Sequence, residues 1–179
     1  MGDKSAGMCR IFTVGHSTLS LDDFIDPMKR YLISEVADVR TVPRSRHNPQ
    51  FNADRLKRTL NKKGIGYSHH PGLGGLRKPV PDSPNRAWKN SSFRGFADYM
   101  QTAGFAKSLD ELIRSARKKR LAIMCAEAVP WRCHRSLISD VLMLHGFEIE
   151  HIINASKTSR HSVTPWAKII DEKLLYPIS

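Results

Sequence analysis

The stretch Leu121-Ala-Ile-Met-Cys-Ala-Glu-Ala-Val-Pro-Trp-Arg-Cys-His-Arg-Ser-Leu-Ile-Ser-Asp-Val-Leu-Met-Leu-His-Gly146 decides the fold class. Its first five residues are an unbroken apolar run, the pattern of a strand buried on both faces. Ala126 to Arg132 reads as a loop. From near Cys133 onward, Leu137, Ile138, Val141 and Leu142 recur at helical spacing until Gly146 stops the helix. A strand buried on both faces and followed, after a loop, by a helix is the building unit of a parallel sheet.

The same alternation continues on either side. Ile11-Phe-Thr-Val-Gly15 reads as a first buried strand with His16 and Ser17 at its tip, and Ser20 with Asp23 resembles a capping box for a helix carrying Leu21, Phe24, Ile25 and Met28. Pro27 falls inside that pattern and is expected to kink or shorten the helix. Val36-Ala-Asp-Val-Arg40 is a second strand, a helix capped by Asn52 runs to about Lys63, and Ile65 to His70 is a third strand. Residues 71–92 form a long loop containing Gly72, Gly74, Gly75, Pro79, Pro81 and Pro84, a length that hints at a lid or binding loop. Phe96, Tyr99 and Met100, then Phe105, Leu109, Leu112, Ile113 and Ala116, are core stripes of a helical region, and Ile149 to Ile153 is the last strand. The expected fold is a single α/β domain over residues 11–179, with a mainly parallel sheet and helices on both faces, Rossmann-like in the broad sense. Residues 1–10 are expected to be loosely attached.

Composition narrows the partners. The 179 residues are 40% hydrophobic and 26% charged, as in a globular protein, and no apolar run is long enough for a membrane span. The amino terminus has no signal-peptide core, and Gly2 lacks a myristoylation motif because Ala6 holds the place of the required Ser or Thr. The three cysteines, Cys9, Cys125 and Cys133, suit a reducing compartment, so a cytoplasmic protein without an intrachain disulfide is expected. Lys and Arg number 29 against 17 Asp and Glu, a formal charge of +12 that favours nucleic acid, nucleotides or other anionic partners. The excess clusters between Arg40 and Lys63; there the helical Arg55, Lys57, Arg58, Lys62 and Lys63 read equally well as a solvated face.

Ligands of open parallel sheets bind beyond the carboxyl ends of the strands. That rule selects Gly15-His-Ser17, Asp38 through Arg46, and Cys125 through Arg135 as one site. Arg40, Arg44, Arg46, Arg132, His134 and Arg135 are its anion-binding candidates, with phosphate expected at the amino terminus of the helix near Cys133. His16, Asp38, Glu127 and Cys133 are the catalytic candidates. Glu127 is first choice for acid or base work, Cys133 is a thiolate nucleophile favoured by adjacent cations, and Asp38 is equally an orienting partner for Arg40. Cys125 reads as a small apolar strand residue. Cys125 and Arg132 enclose six residues rather than the five of a phosphatase loop, so that reading is rejected. Cys125, Cys133, His134 and His16 are the residues able to meet around an ion, but none forms a Cys or His pair at zinc-finger spacing, and no metal or cofactor is expected.

At these same segments the chain resembles the family known as domain of unknown function 488. The shared pieces are Thr13-Val-Gly-His-Ser17, Asp38-Val-Arg40, Pro43-Arg-Ser-Arg46, Asn48-Pro-Gln-Phe51, Leu73-Gly-Gly75, Phe93 to Met100, Met124-Cys-Ala-Glu127 and Trp131-Arg-Cys-His-Arg135, and they run from about residue 11 to the carboxyl terminus. The resemblance implies a prokaryotic α/β protein and supplies no substrate. Two functions follow from the residues. The first is an enzyme acting on a nucleotide or nucleic acid in a basic crevice. The second is a nucleic-acid-binding module without chemistry, with the helix after Asn52 on the backbone and Trp88, Phe93 or Tyr99 stacking on bases. Oligomeric state is left open.

Overall fold

In the first strand, Ile11 and Thr13 face one way and Phe12 and Val14 the other, and all four are buried. Both faces of the sheet are therefore covered. The computed structural model describes residues 9–178, and the amino-terminal stretch expected to be loose lies outside them up to residue 8. Arg10, assigned to that stretch from sequence, instead opens the first strand.

The elements are β1 (Arg10–Gly15), α1 (Leu21–Arg30), β2 (Glu35–Asp38), α2 (Ala53–Lys62), β3 (Gly66–His69), α3 (Ser91–Tyr99), α4 (Ala103–Ala116), β4 (Leu121–Cys125), α5 (Arg135–Leu144), β5 (Glu148–Asn154), β6 (Lys157–Arg160), β7 (Lys168–Ile170) and β8 (Lys173–Leu175). The main sheet has the order β3-β2-β4-β1-β5-β6. Its first five strands are parallel and β6 is antiparallel to β5. One core joins Phe12, Val14, Val36, Ala122 and Met124 to Phe24, Ile25 and Met28 of α1 and Leu56 and Leu60 of α2. The other joins Ile11, Ala37, Leu121 and Ile123 to the apolar stripes of α3, α4 and α5. No helix among the described residues is long and apolar enough to cross a membrane.

Three local expectations change. Pro27 is buried within α1, and the helix runs on to Arg30 from its Ser20 cap, whose hydroxyl accepts from Asp23 N at 3.1 Å. Cys133 does not lie in the first turn of α5. It has extended backbone at the end of a short 3-10 turn, Pro130–Arg132, so His134 is the cap and Arg135 the first helical residue. The chain also adds β6, β7 and β8 after the strand expected to be last. All but two of the ten residues in these short strands are exposed or only half-buried and polar, or wholly exposed, so they carry little of the alternation that marks a half-buried strand.

β4 lies between β1 and β2. The chain leaves β1 and β2 toward the α1 and α2 face, but leaves β4 toward α5 on the opposite face. Adjacent exits that diverge in this way open a crevice at the carboxyl edge of the sheet.

Candidate active site

A cavity of about 650 Å3 occupies this crevice. The tip of β1 and the exit of β4 form its floor, held together by His16 N donating to the Cys125 carbonyl (3.0 Å) and Ser17 N to that of Ala126 (2.9 Å). The walls come from the loop after β2, with Arg40 and Arg44, and from the loop after β4, with Glu127, Arg132, Cys133 and His134. Gly75 and Leu76 of the long loop close one side. That loop is not free to swing as a lid along its whole length. Asp98 of α3, buried, accepts from Val80 N (3.0 Å), Ser83 Oγ (2.6 Å) and Asn85 Nδ2 (2.8 Å) and pins its second half.

Asp38 and Arg40 form the first buried unit. Asp38 Oδ1 accepts from Arg40 N (3.0 Å) and Nε (2.9 Å), and Oδ2 accepts from Arg40 Nη2 (2.6 Å) and the Tyr67 hydroxyl (2.7 Å). Nη2 also donates to the Phe51 carbonyl (2.8 Å), and Nη1 donates to His16 Nε2 (3.2 Å). Burial alone would make Arg40 easier to deprotonate, but its bonds to Asp38 outweigh that and raise its pKa. Asp38 thus acts as the orienting partner of Arg40, and four of the five Arg40 donors are used within the protein.

His16 is committed in the same network. Its ring stacks on Phe51 at 4.2 Å between centroids, Nδ1–H donates to the Ser17 carbonyl (2.8 Å), and the Nε2 lone pair accepts from Arg40. Burial first, and the nearby Arg40 charge, lower its pKa to about 4. Because its lone pair is occupied and its basicity low, His16 is poorly set up as a general base and well set up to orient Arg40. A pH dependence follows. Between pH 6.5 and about 4 the unfolded chain binds a proton at His16 that the folded protein does not, so stability falls as pH falls through this window and is fully present above it. Thermal melts are expected to show Tm decreasing across that range, and a smaller decrease in His16→Gln, which keeps an acceptor for Arg40 but cannot titrate.

Cys125, Cys133 and His134 form the second unit. Their ligand-capable atoms lie within 4.8 Å of one another. Cys133 Sγ is 3.7 Å from His134 Nδ1 and accepts from Arg135 Nε at 3.4 Å. The Cys125 thiol donates to Cys133, which pushes the Cys133 pKa well below the ordinary thiol range against the opposing effect of burial, with His134 and Arg135 assisting. The same contact, with burial, raises that of Cys125. Cys125 is thus more than the apolar strand residue its sequence context suggests.

Arg135 is the hub beneath this cluster and is only 1% exposed. It donates to Cys133, to the Glu127 carbonyl and, through Nη1, to Thr13 Oγ1 (3.3 Å). The hydrogen-bond chain continues from Thr13 Oγ1 to His151 Nδ1 (2.7 Å), from His151 Nε2 to His161 Nδ1 (2.9 Å) and from His161 Nε2 to Asp140 Oδ1 (2.8 Å). Tyr176 donates its hydroxyl to Asp140 Oδ2 (2.8 Å). Every member of this chain is buried. With neutral histidines each link has one donor and one acceptor, so the array locks Arg135 in place.

The sequence-derived candidates therefore separate. His16, Arg40, Arg44, Glu127, Arg132, Cys133 and His134 line one cavity. Glu127 is exposed there, with Oε1 accepting from Val129 N at 3.2 Å, and it is the only carboxylate among the lining residues. Arg46 is exposed but does not line the cavity. Arg135 points into the protein, so its expected direct clamp on phosphate is replaced by a positioning role. Asp38 lies fully buried behind Arg40. The mouth of α5 also offers fewer free donors than expected, because Ser136 N and Leu137 N already bond to the Cys133 and His134 carbonyls. Thr13, His151, His161, Asp140 and Tyr176 escaped the sequence reading as functional residues. The available signal was Asp140, an acid three residues after Leu137 on the inward stripe of α5.

A family model described as domain of unknown function DUF488 matches residues 20–142. No curated protein and no solved structure gives a significant match.

Proposed function

The chain belongs to the DUF488 family of unknown function, and from that premise we propose that it is an enzyme acting on a phosphate-bearing substrate, a nucleotide or nucleic acid, in the crevice beyond β1, β2 and β4. The observation that carries this reading is the convergence of unlike groups in one cavity. Arg44 and Arg132 are exposed on its walls, Arg40 keeps one donor beyond its buried partners, and Cys125, Cys133, His134 and Glu127 stand alongside. Arginine matches phosphate oxygens with paired hydrogen bonds, and a binding module has no need of two buried cysteines beside a half-buried histidine. Val42 and Leu76, 60% and 78% exposed on the cavity wall, supply apolar surface for a base beside the phosphate. The three free cysteines support a reducing, cytoplasmic setting.

The alternative, a nucleic-acid-binding module, has one observation in its favour: Arg55, Lys57, Arg58, Lys62 and Lys63 are all exposed on or beside α2. Against it, Trp88 packs on Phe93, Trp166 and Tyr176, and Tyr99 is covered by the Arg77 guanidinium at 3.6 Å, so two of the three stacking candidates serve the fold.

Calorimetric titration with adenosine monophosphate separates the two. Arg132→Lys is expected to weaken binding by roughly 1–3 kcal/mol, the loss of a charge-assisted hydrogen bond at constant net charge. Lys57→Gln on α2 is expected to leave affinity unchanged. Equal affinities for Arg132→Lys and wild type, together with weakening in Lys57→Gln, would favour diffuse electrostatic binding along α2.

A further inference from the structure

We propose that Cys125, Cys133 and His134 form a site for one soft divalent cation, zinc by its donor set, with the fourth coordination position open to the cavity. The crevice reading bears on what the ion would do there, not on whether it binds.

The three donor atoms stand close enough together to share one ion. Zinc bonds sulfur and imidazole nitrogen at lengths that place the two donors about 3.6 Å apart in tetrahedral coordination, and Cys133 Sγ stands 3.7 Å from His134 Nδ1. All three donor atoms fall within 4.8 Å of one another. His134 Nε2 lies 3.3 Å from the Val39 carbonyl, so its N–H donates there and leaves the Nδ1 lone pair for an ion, the outer-shell contact that commonly orients a ligating histidine. Arg135 Nε–H donates to Cys133 Sγ, stabilising charge on that sulfur. Cys125 ends β4, and His134 caps α5, with Cys133 just before it. The ligands therefore come from the junctions of regular elements and need no loop closure to meet.

Two thiolates and an imidazole select a soft ion over magnesium or calcium, and two thiolates balance a charge of +2. Repulsion from the basic walls is reduced because Asp38 already neutralises Arg40. All three residues line the cavity, so the remaining position faces the space assigned to substrate. Three protein ligands with one open position is the arrangement of catalytic rather than structural zinc. An ion there would polarise a phosphoryl oxygen or activate a bound water near Glu127.

The test uses the full chain, stripped with chelator under reducing conditions and titrated with cobalt(II), then zinc. One cobalt per chain is expected, with thiolate-to-cobalt charge-transfer absorption and the intense visible bands of a tetrahedral ion, and zinc should bleach the spectrum stoichiometrically. Cys9→Ser is expected to give the same spectrum. In Gly75→Ala a new Cβ would stand 2.5 Å from His134 Nδ1, over the ring, and zinc affinity is expected to fall about 10–100-fold, the range for disturbing a ligand's outer contacts. Stripped wild-type protein that keeps its far-ultraviolet circular dichroism yet takes up no cobalt, or shows only weak octahedral bands without charge transfer, overturns the site. Adenosine monophosphate binding, measured on the same stripped sample, keeps the two readings apart. Nucleotide binding without a cobalt spectrum removes the metal site alone. A cobalt spectrum without nucleotide binding, before or after zinc, supports the metal site and counts against the phosphate reading.

Discussion

Asp38→Asn is expected to destabilise the protein by about 3–5 kcal/mol, the cost of removing one partner of a buried ion pair and leaving the other charge uncompensated. Asp38 is fully buried, and Arg40 is 6% exposed. The carboxylate accepts from three atoms of Arg40 and from the Tyr67 hydroxyl, whereas an amide has one acceptor oxygen and turns two N–H donors toward groups that are themselves donors. Denaturant unfolding should show a lower midpoint at unchanged slope. Asp38→Asn combined with Arg40→Met should recover part of the loss, because it removes the stranded charge. If the single variant is as stable as wild type, Arg40 is not held by this pair and its role at the cavity wall must be reconsidered.

Gly15→Ala carries the second large effect. A Cβ at this position would stand 2.0 Å from the Glu127 carbonyl oxygen and 2.7 Å from Ala128 Cα. Both atoms are backbone, so neither can rotate away and the β4 exit loop must move as a unit. Overpacking of this kind costs roughly 1–3 kcal/mol and occasionally more. The moving carbonyl is the one that accepts from Arg135, so the displacement reaches Cys133 as well. Alkylation of Cys133 by iodoacetamide, followed by peptide mass spectrometry, should differ in rate from wild type under conditions where both proteins are folded. An unchanged melting temperature with an unchanged Cys133 rate would show that the loop does not depend on the closeness of Gly15.

The parallel α/β class was legible because Leu121–Cys125 is apolar throughout and is followed, after one loop, by a helical stripe, and because the same pairing recurs around Ile11–Gly15 and Val36–Asp38. The strand order is set by which exits cross the sheet, so β4 settling between β1 and β2 has no local signature. Convergence of His16, Arg40 and Glu127 at one edge followed from the strand-end rule, whereas Arg135, expected in the same pocket, lies buried beneath it. Their roles did not. Whether Arg135 meets solvent or protein depends on Thr13, which is aligned with His151 in the β1–β5 register, on His161, 10 positions beyond His151, and on Asp140, 21 positions before His161. Such an array leaves no periodic trace. Spacing rules for zinc fingers likewise rest on ligands close in sequence and miss a cluster assembled from a strand end and a helix cap across a loop. Asn52 shows the same limit at one residue: it holds the cap position of α2, but its side-chain oxygen accepts from Ser45 N (2.8 Å) and so ties down the loop bearing Arg44.

The most direct test of the account is the position of a bound phosphate. In a crystal grown with adenosine monophosphate, the phosphate is expected in the cavity between Arg44 and Arg132, beside Arg40 and facing Cys133, with the base against Val42 and Leu76. A phosphate seated instead on the outer face of α2 among Arg55, Arg58 and Lys62, with the cavity holding only solvent, would contradict it.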